Sequence, residues 1–551
     1  MRTPILVIGI VLFILFLALR LPGLSLLYHQ DEWKLVLASA SAERAGSFFA
    51  HPPLTQLFFR LDRVLFGSEA MRFLPFGFSL ASAWLLFFIL RRRLAEKTAL
   101  IGLALFSVVF YSVWASLQLD TDGAILPFFF LLALYFYDRW NSAPPKQSRR
   151  WLILLALALL IGLLVKLSFV LIVGALALDF VLTSSNTRFS WKRSAKVALG
   201  MVILGALFIV SLVITHFLYP FFDWRIMLAH ASSYTDGGRN YLQILVQVLK
   251  AVFYLSPLLV VPLLFISRDV FKYLRPFFLY IILGLVFYLG LFDFSRGALD
   301  KYLAYLIVPL VVISAATVGR VLTRVNKRQI KIGLLIGGFL ALGLVSLNFL
   351  PQQVLSLYPK TEWFVRMWRG AWLMLNPFTG GSGPSGFYVS FFFLILSFIT
   401  TFALGFLGLI KRIWRPIVMV AILVIGLAYN IVMAEELLFG RLNGSLPQAL
   451  QSTIVFLKSS PNIKSVITYN DIGAYELSQI GKYAGRFYAT PQFEEAHKER
   501  FADHNKTSGY YLVVEMPLLY EGFYKNFFAR CRIVFETHSG VIPGRAYHCR
   551  T

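Results

Sequence analysis

The stretch PILVIGIVLFILFLALRLPGLSLLYHQDE, residues 4–32, decides the fold of this chain, because an apolar run of membrane-spanning length ends close to an acidic pair. The hydrocarbon core of a bilayer is about 30 Å thick, and a helix needs about 20 apolar residues to cross it. Asp31 and Glu32 therefore stand at a membrane boundary. A carboxylate pair is costly to keep there without a partner, which makes it a candidate functional site.

The rest of the chain repeats the apolar pattern. Its 551 residues are 58% hydrophobic and 14% charged, and the mean hydropathy of +0.71 excludes a soluble core with an ordinary surface. We count about 13 stretches of spanning length, which predicts a polytopic α-helical membrane protein. The predicted spans are residues 4–24, 71–90, 100–114, 123–137, 151–165, 167–182, 197–218, 246–266, 276–291, 302–318, 332–349, 387–410 and 416–433.

The net charge of +25 would indicate a nucleic-acid partner in a soluble protein, but here the cations lie in short alternate loops and not on one face. Basic runs at residues 91–93, 149–150 and 411–412 fall on the same side of the predicted spans, and the positive-inside rule makes that side cytoplasmic. We therefore expect a multi-pass protein of the plasma membrane with a cytoplasmic N-terminus, an extracytoplasmic C-terminal domain and no nucleic-acid partner.

The first apolar segment could instead be a secretory signal. It has only Arg2 as a basic region and no small-x-small cleavage site before Tyr28, so we interpret it as an uncleaved span.

Two regions outside the spans have their own patterns. Helical spacing with mixed apolar and charged faces over residues 33–45 and 54–66 predicts juxtamembrane helices at about 31–70 on the outer face. Hydropathy falls after residue 434, so we predict a transmembrane domain over 1–434 and a small soluble α/β domain over 435–551. In that domain the patterns predict helices at 447–457 and 520–530 and strands at 465–468, 511–515, 532–536 and 545–549.

The chain has two cysteines, Cys531 and Cys549, placed symmetrically about Ser539-Gly540. A hairpin that turns there would set them opposite each other, where a cross-strand disulfide is sterically allowed in an oxidising compartment. Two free thiols are the alternative.

One kind of chemistry needs an acid and several cations at the outer membrane boundary. A transferase that uses a sugar attached to a lipid phosphate needs a carboxylate to deprotonate the acceptor and cations to hold the departing phosphate. A phosphate paired with Lys or Arg carries its own charge stabilisation, so no general acid is required.

Five motifs in fixed order carry a resemblance to a known family. They are Asp31-Glu32, His51-Pro52-Pro53-Leu54, Leu119-Asp120-Thr121-Asp122-Gly123, Val165-Lys166-Leu167-Ser168, and Lys301-Tyr302 before Pro309. Their order and sidedness resemble the GT-C superfamily of integral-membrane glycosyltransferases, and in particular the protein O-mannosyltransferases and lipid A aminoarabinose transferases. The resemblance covers the membrane part to about residue 320. It implies transfer of a sugar from a polyprenyl-phosphate-linked donor to a glycan, lipid or protein acceptor.

The resemblance also implies roles for the acidic residues. Asp31 would be the catalytic base, with Glu32 beside it to orient the acceptor or the sugar. The alternative is an acid that caps the helix beginning near Trp33. Asp120 and Asp122 would complete the acceptor or sugar pocket, or would merely cap the helix that starts near Gly123.

A second group would bind the donor's lipid phosphate. It comprises His51, Lys166, Arg296, Lys301 and Tyr302. His51 stands where some members have Lys and could be a simple turn residue. Lys166 lies in a break of an apolar run, where snorkelling to the interface is the alternative. Arg296 and Lys301 could clamp the phosphate or could pair with Asp293 or Asp300.

The sequence predicts no cofactor. No Cys/His cluster has zinc spacing, and neither a phosphate loop nor a Gly-x-Ser-x-Gly elbow occurs. A divalent cation held by Asp31 and Asp120 is chemically allowed but is not supported by ligand spacing. A further outer loop has charges that fit an ordinary solvated segment; they are Asp223, Arg225, His230, Asp236 and Arg239.

Two other classes share some of these features. A multi-span transporter or lipid flippase also has many spans and intramembrane charges, often with internal repeats and helices broken near the midplane. We see no repeat between the two halves, and the candidate charges lie at one face. An assembly protein anchored by its spans would not need so many of them.

Overall fold

The computed structural model describes residues 2–29, 31–40, 51–182, 191–219, 222–234, 239–293, 299–323, 325–354, 363–376, 386–489, 493–514 and 522–549. By its internal packing the chain divides into two units. The first unit comprises Met1–Leu24, Leu35–Gly333 and Leu404–Leu423. The second unit comprises Ser25–Lys34, Leu334–Ala403 and Val424–Thr551.

Helices account for most of the described chain up to residue 438. Their bounds are Arg2–Ala18, Asp31–Ala38, Pro53–Phe66, Phe73–Arg93, Glu96–Val108, Phe110–Leu117, Leu126–Ser142, Pro145–Val165, Val170–Leu182, Trp191–Leu218, Trp224–Ser232, Tyr241–Val260, Arg268–Tyr273, Arg275–Leu285, Leu299–Tyr302, Ile307–Leu322, Lys327–Ser346, Trp363–Trp368, Phe391–Ile410 and Arg415–Leu438.

The predicted polytopic fold is confirmed, but the count of 13 spans is not. Within the described residues, 10 helices are long and apolar enough to cross a membrane, and 11 if one bent pair counts as a span. Two of the predicted spans, 167–182 and 276–291, correspond to shorter apolar helices, Leu167–Leu182 and Arg275–Leu291. Hydropathy alone does not separate them from full spans, because a short helix behind a break has the same composition.

The bent pair, Glu96–Val108 and Phe110–Leu117, turns by 62° at its break. The guanidinium of Arg20 donates to the carbonyl groups of Phe106 (3.2 Å) and Ser107 (2.9 Å) and to Ser112 Oγ (3.1 Å). A helix end leaves carbonyl groups without an intrahelical partner, and these groups must be satisfied where water is absent. The buried Arg20 therefore stabilises the break.

The second unit contains two sheets. The smaller has the order β1-β2-β3, with β1 (Gln353–Val354) parallel to β2 (Ala371–Asn376) and β2 antiparallel to β3 (Phe387–Ser390).

The larger sheet has the order β5-β4-β6-β8-β7. Its strands are β4 (Val466–Tyr469), β5 (Tyr483–Phe487), β6 (Tyr510–Val514), β7 (Arg532–Ser539) and β8 (Ile542–His548). Strand β4 is parallel to β5 and β6, and β8 is antiparallel to β6 and β7. Four helices accompany it: Leu446–Ser459, Ala474–Gln479, Glu494–Thr507 and Phe523–Ala529. We call residues 446–549 the C-terminal lobe; its core is apolar and aromatic, with Phe487, Phe501 and Tyr511 buried.

The lobe has the α/β character that the sequence predicts, with three elements that the pattern did not show: the short helix Ala474–Gln479, strand β5 and the helix Glu494–Thr507. Strand β5 contains a glycine and an arginine, and the helix Glu494–Thr507 has few apolar residues, so neither has a clear periodicity. The structure joins Cys531 and Cys549 by a disulfide across the β7–β8 hairpin, with their Cα atoms 4.5 Å apart.

Candidate functional site

Four charged residues form a buried cluster in the first unit. Lys301 pairs with Asp120, and Lys166 pairs with Asp122. Each of the four side chains is at most 10% exposed. Buried charges are tolerated in proteins when they are paired, so each lysine and each aspartate explains the presence of the other. We call this group the lysine–aspartate cluster.

An unusual helix start positions the two aspartates of the cluster. Residues Thr121–Ile125 form a single π-helical turn before the helix Leu126–Ser142, and Asp120 caps it by accepting from Thr121 N and Oγ1. A Cβ atom at Gly123 would lie 2.5 Å from the carbonyl oxygen of Ala115, so only glycine fits this approach. Such π-turns are frequent at functional sites.

Lys166 is placed by a break between helices. It has extended backbone (φ −156°, ψ 137°) between the helix Pro145–Val165 and the 3-10 turn Leu167–Phe169. Thr55 Oγ1 donates to the Val165 carbonyl at 2.5 Å, which ties the helix Pro53–Phe66 to this break. That helix begins with proline at its first turn, a favoured position because no amide hydrogen is needed there. The motif that starts at His51 thus meets the Lys166 motif.

One aromatic ring, that of Tyr302, lies beside both lysines and is contacted by two further tyrosines. The Nζ atoms of Lys166 and Lys301 lie 5.0 Å and 5.6 Å from the centre of the Tyr302 ring. Tyr288 stacks on Tyr302 at 5.8 Å, and the hydroxyl of Tyr234 lies 3.4 Å from that of Tyr302. Rings within about 6 Å of an ammonium group stabilise the cation.

Burial and the charges of the cluster shift the pKa values of the titratable groups in and around it. Burial, followed by the field of Lys166, lowers the pKa of His51 to about 3, so this imidazole is neutral at physiological pH. Burial alone would raise the pKa of Asp120, but Lys301 and Lys166 hold it below its ordinary range. Burial and then Lys166 also lower the pKa of His230, whose ring lies 6.0 Å from that of His51. Two charged pairs therefore form the cluster, and neutral histidines lie next to it.

The acidic pair Asp31-Glu32 lies in the second unit, at the start of the helix Asp31–Ala38. The Asp31 carboxylate accepts from Lys34 Nζ at 3.1 Å and is 45% exposed. Glu32 is fully buried and accepts from the backbone amide of His29 at 3.2 Å. The two acids therefore differ: Glu32 is engaged with backbone at the helix start, whereas Asp31 is open to solvent.

The structure brings several of the sequence candidates together. Asp120, Asp122, Lys166 and Lys301 form the lysine–aspartate cluster. His51 and Tyr302 lie beside it, and Arg296 lies outside the described residues. Lys166 pairs with Asp122 and is buried, which differs from the snorkelling alternative. Lys301 pairs with Asp120, a partner outside the two alternatives of the sequence analysis, Asp293 and Asp300.

The structure also adds residues that sequence reasoning missed. His230 was assigned to a solvated loop, yet its ring contacts that of Tyr234 at 5.3 Å and approaches the cluster. Tyr288 and Tyr234 carried no signal, because single tyrosines in apolar or loop segments are common. Asp236 of the same loop lies outside the described residues. Among those that are described, no group of three or more His, Cys, Asp or Glu side chains could hold a metal ion.

Comparison with known proteins agrees with this architecture. Residues 50–216 match the profile of the family described as dolichyl-phosphate-mannose-protein mannosyltransferase. The structure of ArnT from Cupriavidus metallidurans in the apo state has a TM-score of 0.54 and 15% identity, covering 99% of this chain and 97% of that chain. The structure of the same protein bound to undecaprenyl phosphate has a TM-score of 0.54 and 14% identity, covering 98% of this chain and 97% of that chain.

The Archaeoglobus fulgidus oligosaccharyltransferase in the apo form has a TM-score of 0.44 and 10% identity, covering 93% of this chain and 69% of that chain. No curated protein sequence matches the chain.

The chain thus shares the fold of ArnT over nearly its whole length. It resembles the group of the protein O-mannosyltransferases and ArnT, which is the resemblance that the sequence motifs predicted.

Proposed function

We propose that this protein is a glycosyltransferase that moves a sugar from a polyprenyl-phosphate-linked donor to an acceptor on the extracytoplasmic face of the membrane. The observation that carries the proposal is the lysine–aspartate cluster, where two buried lysines lie beside one tyrosine ring. The ArnT-like fold supports it, since ArnT has been solved with undecaprenyl phosphate. The family match over residues 50–216 supports it as well.

The cluster has the hydrogen-bonding capacity to bind a phosphate. An ammonium group has three donors, and Lys166 and Lys301 each donate to an aspartate. In the proposed site the two ammonium groups bind phosphate oxygens, and the neutral His51 adds a ring N–H. In this account Asp120 and Asp122 fix the lysines before the anion binds, which is preorganisation of a charged site.

Asp31 supplies the base. Its carboxylate takes the proton of an acceptor hydroxyl or amine as the acceptor oxygen or nitrogen bonds to the anomeric carbon of the sugar. The bond between that carbon and the phosphate oxygen breaks, and the lipid phosphate leaves with the electron pair and is stabilised by Lys166 and Lys301. A single displacement of this kind inverts the anomeric configuration.

The proposal also includes an orientation of the chain in the membrane. The N-terminus is cytoplasmic, and the C-terminal lobe is extracytoplasmic. The disulfide between Cys531 and Cys549 supports this orientation, because disulfides persist in oxidising compartments.

Two assays with defined probes test the function. In nanodiscs, the purified protein should bind undecaprenyl phosphate or dolichyl phosphate but not the phosphate-free alcohols, as read by native mass spectrometry. Cells with and without the gene should differ in a glycolipid or glycoprotein detected by mass spectrometry. Movement of the lipid across the bilayer without a covalent product would instead identify a flippase.

A further inference from the structure

We propose that Asp471 of the C-terminal lobe is a positioning residue for the catalytic base Asp31, acting through Lys34. The inference rests on the proposed function, since it assumes that Asp31 is the base. All three residues belong to the second unit, and the contacts between them are direct.

The segment that carries Asp31 is packed on the lobe. The ring of Tyr28 meets that of Tyr475 edge to face at 5.1 Å, and the ring of Trp33 meets that of Tyr483 at 5.3 Å. Tyr28 is 5% exposed and Trp33 is 8% exposed. Two aromatic contacts therefore hold the segment on either side of the acidic pair in the sequence.

Asp471 lies where open α/β sheets place their functional residues, beyond the carboxyl end of a parallel strand. It follows β4 with φ of +59°, and the preceding Asn470 has φ of +54°. Two successive non-glycine residues in the left-handed region are unfavourable and persist only where surrounding structure holds them. Here the Asn470 amide donates to the Phe487 carbonyl at 2.9 Å, so β5 fixes the turn.

The lobe holds the Asp471 side chain rigidly. The carboxylate is 1% exposed and accepts from the Tyr483 hydroxyl and from Arg486 Nη1. Arg500 in turn donates to the backbone carbonyl groups of Ala484 (2.8 Å) and Arg486 (2.7 Å). Asp471 is thus a fixed negative charge.

Lys34 connects this fixed charge to the base. Its Nζ lies 3.1 Å from the Asp31 carboxylate and 3.8 Å from the Asp471 carboxylate, and its side chain is only 17% exposed. Because Asp471 is fixed and Lys34 lies between the two acids, Asp471 determines where the ammonium group stands. Lys34 then determines the orientation of the half-exposed Asp31. Without Asp471, the ammonium group would lose one of its two carboxylate partners and Asp31 would be free to reorient.

This arrangement predicts a loss of turnover without a loss of donor binding. Misplacing a reacting group by about 1 Å can cost on the order of 100-fold in rate. We expect Asp471→Asn to lower kcat by about 10- to 100-fold while the Kd for undecaprenyl phosphate stays within about twofold of wild type.

The decisive experiment combines turnover with hydrogen exchange in nanodiscs. Asp471→Asn should speed amide exchange in peptides covering residues 25–38 and leave peptides covering 120–170 unchanged. Lys34→Met should lower kcat by a similar factor, and Lys34→Arg should recover most of the activity. The double variant Asp471→Asn/Lys34→Met should have the same kcat as Lys34→Met alone. Asp503→Asn is the matched control, because Asp503 is 80% exposed and its one ion pair among the described residues is with Lys506.

Two results would overturn the inference: unchanged exchange over residues 25–38 in Asp471→Asn, or additive kcat losses in the double variant. Tyr483→Phe covers the case in which Asp471→Asn fails to fold, because it removes one hydrogen bond to Asp471 and keeps the ring against Trp33. Unchanged exchange and kcat in Tyr483→Phe and Lys34→Met would then also count against it. Full activity in Asp31→Asn would instead reject the base assignment, and the exchange data would still decide whether Asp471 orders the segment.

Discussion

The chain has two acidic pairs at its candidate sites, and they are held in opposite ways. Asp120 and Asp122 are 6% and 4% exposed, and each has its own lysine. Asp31 is 45% exposed and shares one lysine with Asp471, a residue more than 400 positions away in the sequence. Acids that are buried and paired can hold cations in place, whereas an acid that exchanges a proton with an acceptor has to be accessible. The difference fits the roles that we propose, with Asp120 and Asp122 in the phosphate-binding site and Asp31 as the base.

The largest effect should come from the exposed acid. Asp31→Asn should lower sugar transfer by about 100- to 10,000-fold, the usual contribution of a general base. The Kd for undecaprenyl phosphate should not change, because the lysine–aspartate cluster is intact. Turnover and native mass spectrometry on the same preparation would measure both. Equal losses in turnover and lipid binding would show that Asp31 does not differ in role from Asp120 and Asp122.

The next largest effect should come from the buried cations. Lys166→Met should weaken undecaprenyl phosphate binding by about 10- to 100-fold, because a hydrogen bond to a charged group contributes about 1.5–3 kcal/mol. Lys166→Met alone leaves the Asp122 carboxylate buried without its cation, which is destabilising by itself. The double variant Lys166→Met/Asp122→Asn is therefore the control. If it binds the lipid as tightly as wild type does, Lys166 is not a phosphate ligand.

A smaller effect concerns the lobe that holds the exposed acid. Replacing Cys531 and Cys549 by serine opens a loop closed over 18 residues, and we expect the lobe to lose about 2–4 kcal/mol of unfolding free energy. Thermal unfolding of the two forms in detergent would show this. If the lobe orders Asp31, turnover should fall at temperatures where the serine variant's lobe is partly unfolded. A variant that loses stability but keeps wild-type turnover there would argue that the lobe is dispensable.

The last effect is small per pH unit and concerns a buried carboxyl that has no hydrogen-bond partner within the described part of the chain. Asp62, on the helix Pro53–Phe66, is 1% exposed, and burial raises its pKa to about 8. Neither of its carboxylate oxygens accepts a hydrogen bond from a described residue. A group whose pKa is raised on folding stabilises most at low pH and loses that contribution as the pH rises toward the folded value.

Wild-type thermal stability should therefore fall between pH 5 and pH 8, by at most about 1.4 kcal/mol per pH unit from this one group. Asp62→Asn should flatten the fall, and Asp503→Asn should not. Identical pH slopes in wild type and Asp62→Asn would show that Asp62 does not carry a raised pKa, and that pairing is not what distinguishes it from Asp120.

Much of the fold was predictable, because composition and hydropathy act over long stretches. The apolar runs gave the polytopic class, and the strand and turn patterns after residue 434 gave most of the C-terminal lobe. Breaks were harder. The π-turn before Leu126, the bend at Val109 and the short helix after Lys166 depend on local packing, such as the contact of Gly123 with Ala115, that leaves little trace in composition.

The candidate site was predictable in its members but not in its pairing. Lys166 was conspicuous because a cation in an apolar run needs an anion, yet nothing in the sequence showed that the anion would be Asp122. His230 looked like part of a solvated loop, and the sequence analysis did not single out Asp471 at all. Contacts over hundreds of residues are set by topology, which a single sequence does not display.

The most direct test of the account is a conversion measured by mass spectrometry. Purified protein in nanodiscs would be incubated with a lipid extract that contains polyprenyl-phosphate-linked sugars and with an extract of extracytoplasmic acceptors from the same cells. We predict that wild type releases polyprenyl phosphate and that an acceptor gains the mass of one sugar, while Asp31→Asn does neither. No release by wild type, or equal release by Asp31→Asn, would contradict the account.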